Sequence, residues 1–230
     1  MKTPVTRETL RQHLTYNWWK YVLLAALSFF LIDLLYTTTA YRTPADKRVD
    51  FYIYGYANEE ELNAYMEKIR KEQMPDMEEM SCQLLMADDN YGPMQLSTYM
   101  AVGEGDLYLL PRDQFISLAS QSALLPLEDQ AELVGVYDQA GLSLQNGWRR
   151  ETETGETHLY GIPLSKLPGL VQYAYAQDGY LGVLAAGGND ENTIKFLTIL
   201  SKDMITEPVP ESPAPETESP LPDAAETAAP

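Results

Sequence analysis

The sequence predicts an α/β domain: three layers around a mixed, mostly parallel sheet, preceded by one transmembrane helix. Three observations lead there. A run of sixteen residues, YVLLAALSFFLIDLLY from Tyr21 to Tyr36, carries a single charge. Between about residues 48 and 206, β-branched and aromatic runs alternate with segments of helical periodicity, the pattern of a parallel sheet covered on both faces. From Glu207 to Pro230 the composition changes to six acids, seven prolines and no base. Such a segment has too little apolar surface to offset its chain entropy and is expected to be a disordered acidic tail. The expected organisation is therefore a head over 1–20, a membrane helix over 21–41, a folded domain over 48–206 and a tail over 207–230.

In the head, Lys2, Arg7, Arg11 and Lys20 face one acid, Glu8. Basic residues ahead of an apolar span keep that end inside the cell, so the N-terminus is expected to be cytoplasmic and the domain extracellular. With Trp18 and Trp19 before it and the Thr37–Tyr41 stretch after it, the apolar segment approaches the ~20 residues that cross a ~30 Å hydrocarbon core. The tryptophans and Tyr36 or Tyr41 stand where interfacial aromatics belong. A cleaved leader is the competing reading, with Thr38 and Ala40 as small residues before a cleavage site. The long head and long apolar run favour an anchor. Asp33 is the odd residue of the span, because a carboxylate near a helix centre costs ~2.5–3.5 kcal/mol on insertion scales. It is a candidate contact for a membrane partner; the plainer alternative is a carboxyl lying toward the outer interface.

The domain is expected to open with a strand from Val49 to Tyr56. A helix follows, capped by Asn58, with Leu62, Tyr65 and Ile69 along one face. Ser81–Met86 and Asp106–Pro111 read as further strands, with Phe115, Leu118 and Ala119 marking a helix after the latter. Trp148–Leu164 reads as a β-hairpin turning near Thr154-Gly155. A last strand over Tyr180–Ala185 precedes a helix from about Glu191 to Lys202, capped by Asn189 or Asp190, with Ile194, Leu197 and Leu200 facing inward.

Charge and composition exclude several functions. The net charge is −18, and removing the tail leaves −12 on the remainder. Phosphate backbones demand clustered Lys and Arg, so nucleic acid is not a partner, and an anionic lipid surface would repel the domain. One cysteine, Cys82, permits no internal disulfide and, placed inside a strand, reads as a small buried residue. Two histidines, His13 and His158, fall in different zones, and no His/Cys set has the spacing of a transition-metal site. Asp88-Asp89-Asn90 lacks the spacing of a calcium loop and reads as a turn. Gly103-x-Gly105 lacks the third glycine and lysine of a phosphate loop. Glu59, Glu60 and Glu61 suit the positive end of a helix, not acid–base chemistry. No cofactor and no catalytic residue is expected. Trp148, Tyr160, Tyr173 and Tyr175 are candidate ligand-stacking aromatics, with packing on the core as the alternative.

Four segments resemble the extracellular solute-binding proteins of ABC importers, the sugar-binding type in particular. Gly103-Glu-Gly-Asp-Leu-Tyr-Leu109 is similar to the family's turn into a core strand, and Leu124-Leu-Pro-Leu-Glu128 to the stretch after the next helix. Tyr160-Gly-Ile-Pro-Leu164 resembles the hinge-proximal strand. Tyr180-Leu-Gly-Val-Leu-Ala-Ala-Gly187, with Asn192–Leu197 after it, resembles the returning strand and its helix. The resemblance implies one lobe of a periplasmic-binding-protein fold. All four segments belong to the first lobe, and only fifteen residues separate Leu164 from Tyr180, where the family inserts its second lobe. One lobe cannot close over a sugar. The expectation is thus a membrane-anchored, non-enzymatic interaction or sensing domain with a protein partner at the cell surface, a sugar ligand being disfavoured. The alternative is a reduced solute-binding component of an importer.

Overall fold

The structure, a computed structural model, describes residues 7–88, 91–174 and 178–206, with the side chains of 7–10 and 12–14 excepted. The expected tail over 207–230 and the Asp89-Asn90 part of the acidic turn lie outside the described residues. The chain divides into two units, residues 1–43 and 44–230.

The first unit is one helix, α1 (Arg7–Thr39). It takes in most of the basic head, so the helix begins well before the expected span. Its apolar part, Thr15–Thr39, is 25 residues long and is long and apolar enough to cross a membrane. At 1.5 Å per residue that is about 37 Å. The hydroxyls of Ser28, Thr37 and Thr39 donate to the carbonyls of Leu24, Asp33 and Leu35, so these polar groups are satisfied within the helix. That is what a helix surrounded by hydrocarbon requires.

The second unit is built on a five-stranded sheet. Its elements are β1 (Arg48–Tyr54), α2 (Glu59–Glu72), β2 (Glu79–Leu85), α3 (Gly92–Ala101), β3 (Leu107–Pro111), α4 (Arg112–Ser120), α5 (Ala131–Gln139), β4 (Trp148–Arg150), β5 (Thr157–Leu159), β6 (Ile162–Pro163), α6 (Pro168–Val171), β7 (Gly179–Val183) and α7 (Asp190–Thr206). The sheet order is β2-β1-β3-β7-β6. β1 pairs in parallel with β2 and β3, and β7 runs antiparallel to both β3 and β6. Four strands therefore share one direction and β7 alone opposes them, the mixed, mostly parallel sheet expected.

Alternation along β1 divides the interior. Val49, Phe51 and Ile53 join the larger core with Leu62, Met66 and Ile69 of α2, Leu133 and Tyr137 of α5, and Phe196 and Leu200 of α7. Tyr52 faces the other way, with Leu96 of α3, Phe115 of α4, Tyr108 and Tyr180. Helices on both faces give three layers. The buried Tyr137 hydroxyl donates to Ser201 Oγ at 2.7 Å, and Ser201 donates to the Leu197 carbonyl at 2.7 Å, so α5 and α7 meet without an unpaired polar group.

Asn58 caps α2 as expected, its Oδ1 accepting from the Glu61 N–H. Asn63, one turn later, covers the outer edge of β2. Its Oδ1 accepts the Cys82 N–H at 2.7 Å, and its Nδ2 lies 3.4 Å from the Cys82 carbonyl. The side chain thus stands in for a sixth strand where an open edge would otherwise invite pairing. Asn63→Ala is expected to cost about 1–2 kcal/mol, read as a lowered thermal unfolding midpoint. An unchanged midpoint would show that water serves the edge equally well.

Three expectations are corrected. The hairpin closes at Leu159 rather than Leu164: β4 and β5 form a separate two-stranded sheet, while Ile162–Pro163 joins the main sheet beside β7. Helices α3 and α5 were not expected, because each buries little more than an i, i+4 pair, Leu96 with Met100 and Leu133 with Tyr137. On α7, Thr193 and Phe196 are buried and Ile194 is only half-buried.

Candidate functional site

In an open sheet of this kind, ligands meet the carboxyl ends of the parallel strands, where successive crossovers leave in opposite directions. Here that point lies between β1 and β3. The chain leaves β1 through Gly55, Tyr56 and Ala57. The Gly55 N–H donates to the Leu85 carbonyl and the Asn58 N–H to the Tyr173 carbonyl, and Ala57 bridges Ala174. Beyond β2, the Tyr91 N–H donates to Asp88 Oδ1 at 3.0 Å and the Gly92 N–H to the Asp88 carbonyl at 2.9 Å. Asp88 is thus fixed at the start of α3.

Gly92 is required by close approach. A Cβ there would lie 2.4 Å from the Tyr54 hydroxyl oxygen and 2.5 Å from the Met86 carbonyl oxygen. Its absence lets α3 start directly against the ends of β1 and β2. Beside this contact is a recess of about 390 Å³ lined by Gly55, Tyr56, Leu85, Met86, Ala87 and Asp88. Tyr56 and Met86 in its lining are 75% and 62% exposed, and Tyr91 and Met94, which come next along the chain, are 70% and 69% exposed.

The opposite end of the sheet holds a buried polar cluster with a structural role. Asp106 Oδ2 accepts the Asp50 N–H at 2.8 Å, the Asp106 N–H donates to the Asp50 carbonyl at 3.0 Å, and Ser81 Oγ donates to Asp50 Oδ1 at 2.9 Å. Arg48 Nε lies 2.6 Å from Asp50 Oδ2. Burial raises both carboxyls above their ordinary range, that of Asp106 to about 6. These groups tie β1, β2 and β3 together where the chain enters the domain, and both carboxylates are at most 7% exposed.

The aromatics nominated from the sequence do not converge. Tyr160 is 1% exposed and belongs to the core beside Phe115 and Tyr180, so its ring offers no face to a ligand. Tyr173 stacks on Tyr65, ring centroids 6.1 Å apart, and packs against the other core. Trp148 stands on the hairpin at 39% exposure and borders a recess of about 540 Å³ with Glu128, Leu142 and Leu159. Glu128 is already engaged there, accepting the Leu159 N–H and pairing with His158; that pairing raises the histidine's pKa. Tyr175 lies outside the described residues. Cys82 is buried in β2, and burial pushes its thiol up to about 12. Asp33 is exposed on α1. Among the described residues no group of three His, Cys, Asp or Glu side chains could hold a metal ion.

The carboxyl-edge surface was not singled out by sequence reasoning. Its available signal was the recurrence of Tyr and Met without a buried period over 86–94, next to acids and a Gly-Pro helix start.

Among the solved structures similar to this chain are solute-binding proteins, the family its segments resemble. One is an extracellular solute-binding protein of family 1 from Alicyclobacillus acidocaldarius, 23% identical with a TM-score of 0.38, over 50% of this chain and 27% of that one. Another is the N-glycan transport solute binding protein NgtS from Streptococcus pneumoniae, 22% identical with a TM-score of 0.37, over 50% of this chain and 24% of that one. The same protein in complex with Man1GlcNAc matches at 21% identity and a TM-score of 0.35. The chain spans about a quarter of the length of these structures. No protein-family model matches the chain, and no curated protein does.

Proposed function

We propose that the chain is a membrane-tethered extracellular interaction or sensing domain, non-enzymatic, built on a single solute-binding-type lobe. α1 is its anchor, with the basic end cytoplasmic and Asp33 available to a membrane partner. The supporting observation is the open carboxyl edge. Its apolar side chains face solvent, and the connection between β6 and β7, where a second lobe would stand, is fifteen residues long and holds, among its described residues, a 3-10 turn over Leu164–Lys166 and α6. A ligand of sugar size would be held from one side only, without the enclosure that excludes water.

Two measurements test this reading. Protease shaving of whole cells is expected to remove the acidic tail while the head survives; the reverse pattern ends the topology. Thermal unfolding of the full chain is expected to be unmoved by a panel of mono- and oligosaccharides. A saturable upward shift would favour the alternative, a reduced solute-binding component of an importer. In that version a second copy supplies the missing wall, so ligand-dependent dimerisation in analytical ultracentrifugation would accompany the shift.

A further inference from the structure

We propose that the β1–β2 half of the carboxyl edge docks a protein segment carrying Lys or Arg beside apolar side chains. This deepens the interaction reading above and rests on it.

The first observation is where the exposed apolar side chains collect. Within the described residues of the folded domain, seven large apolar side chains are exposed. Two of them, Tyr56 and Met86, line this recess, and two more, Tyr91 and Met94, follow within eight residues of Met86 at the start of α3. Tyr91 is joined to the recess through its N–H bond to Asp88, and Met94 follows one helical turn later on the same side of α3. The others, Val102, Trp148 and Val171, are dispersed. A cluster of exposed tyrosine and methionine is the composition of protein-binding surfaces: tyrosine offers a broad rigid face with a hydroxyl at its rim, and methionine adapts to irregular partners. Single exposed apolar residues need no explanation, but a contiguous group does.

The second observation is charge. The described residues of the two connecting segments, 54–62 and 84–97, carry four acids, Glu59, Glu60, Glu61 and Asp88, and no base. The bases of the same edge, Arg112 and Lys166, follow β3 and β6 on the other side of β1. The apolar cluster therefore has a negative rim. That rim selects among occupants, because like charges across an interface repel and opposite charges steer. A second copy would bring the same acids, the tail of this chain brings six more, and an anionic lipid surface is repelled. A basic, partly apolar protein segment matches both features.

The test uses the full chain in discs of zwitterionic lipid, with empty discs as the reference. Three labelled synthetic peptides of equal length serve as probes: an amphipathic Lys/Leu peptide, its Glu/Leu counterpart and a Lys/Ser peptide without apolar residues. The Lys/Leu peptide is expected to bind, to weaken as salt rises, and to exceed the other two by about tenfold or more. A benzophenone on it should mark Met86 or Met94. Tyr91→Ser with Met94→Ser, and separately Glu59→Gln with Glu60→Gln, are each expected to weaken binding by about tenfold or more, while Val102→Ser leaves it unchanged. Near-ultraviolet circular dichroism confirms that the variants keep the fold. Equal binding of the Glu/Leu peptide, adducts elsewhere on the domain, adducts between two copies, or indifference to both double variants overturns the proposal. Failure of the wider reading shows itself separately, as a saccharide-induced thermal shift that persists in those variants.

Discussion

Gly147→Ala is expected to lower the unfolding midpoint of the full chain by about 6–12 °C, through a loss of about 3 kcal/mol. Gly147 is buried at the entry to the hairpin, its N–H donating to the Leu144 carbonyl and its carbonyl accepting the Tyr160 N–H. A Cβ there would fall 1.8 Å from the Gly161 carbonyl oxygen and 2.8 Å from a Leu159 methyl. The first neighbour is backbone and cannot rotate away. Gly161 is confined in turn, since a Cβ on it would meet the Phe115 ring at 2.5 Å and the Leu181 carbonyl oxygen at 2.9 Å. The two glycines mark the crossing where the chain passes from the small hairpin into the main sheet. Relief would require prising β6 from β7. Thermal unfolding followed by near-ultraviolet circular dichroism measures the loss, and a shift under about 2 °C would mean that the crossing relaxes freely.

Asp106 supplies the second large effect, a dependence of stability on pH. Its folded pKa, about 6, stands above the ordinary carboxyl value of 3.8, with burial as the first cause. Above pH 6 the carboxylate is charged in both states, and the folded protein bears the full cost of burying it. As pH falls through 6 the folded form takes up the proton first, so stability rises until the unfolded chain is also protonated near pH 4. The difference between the unfolded and folded carboxyl corresponds to about 3 kcal/mol. Asp50 moves in the same direction. Asp106→Asn keeps an oxygen for the Asp50 N–H and removes the charge. It is expected to flatten most of the rise between pH 7 and pH 4 and to be at least as stable as the parent at pH 7. Urea midpoints across that range decide the matter; an undiminished slope in the variant would assign the effect to other groups.

The sequence disclosed the fold where a segment satisfied two requirements at once. Val49–Tyr54 is both β-prone and flanked by a cap, so β1 and α2 were legible together, and the apolar periods of α4 and α7 were long enough to see. It was opaque where burial is shared. α3 opens on Gly92-Pro93 and α5 carries Gly135, so each reads as interrupted, and only tertiary packing around Leu96 or Tyr137 makes the helix. The hairpin's end was misjudged for a similar reason. Tyr160 to Leu164 continues the β-prone composition, while the Gly147–Gly161 crossing that redirects the chain is a property of two glycines fourteen residues apart. Candidate site residues fared worst. Aromatic identity alone cannot separate a ring packed inward, as Tyr160 is, from one left outside, as Tyr56 is; that depends on which loop faces the sheet's open end.

The reversed strand β7 has a consequence for how the molecule comes into being. It is the last of the described strands yet occupies an interior position, hydrogen-bonded to β3 on one flank and β6 on the other. Until residues 179–183 arrive, β6 has no neighbour and β3 has an open side. Nascent polypeptide lacking that stretch therefore holds two incomplete fragments rather than a smaller native structure. Assembly waits on contacts between segments far apart in sequence, which places the domain among high-contact-order folders, slow by topology whatever its final stability.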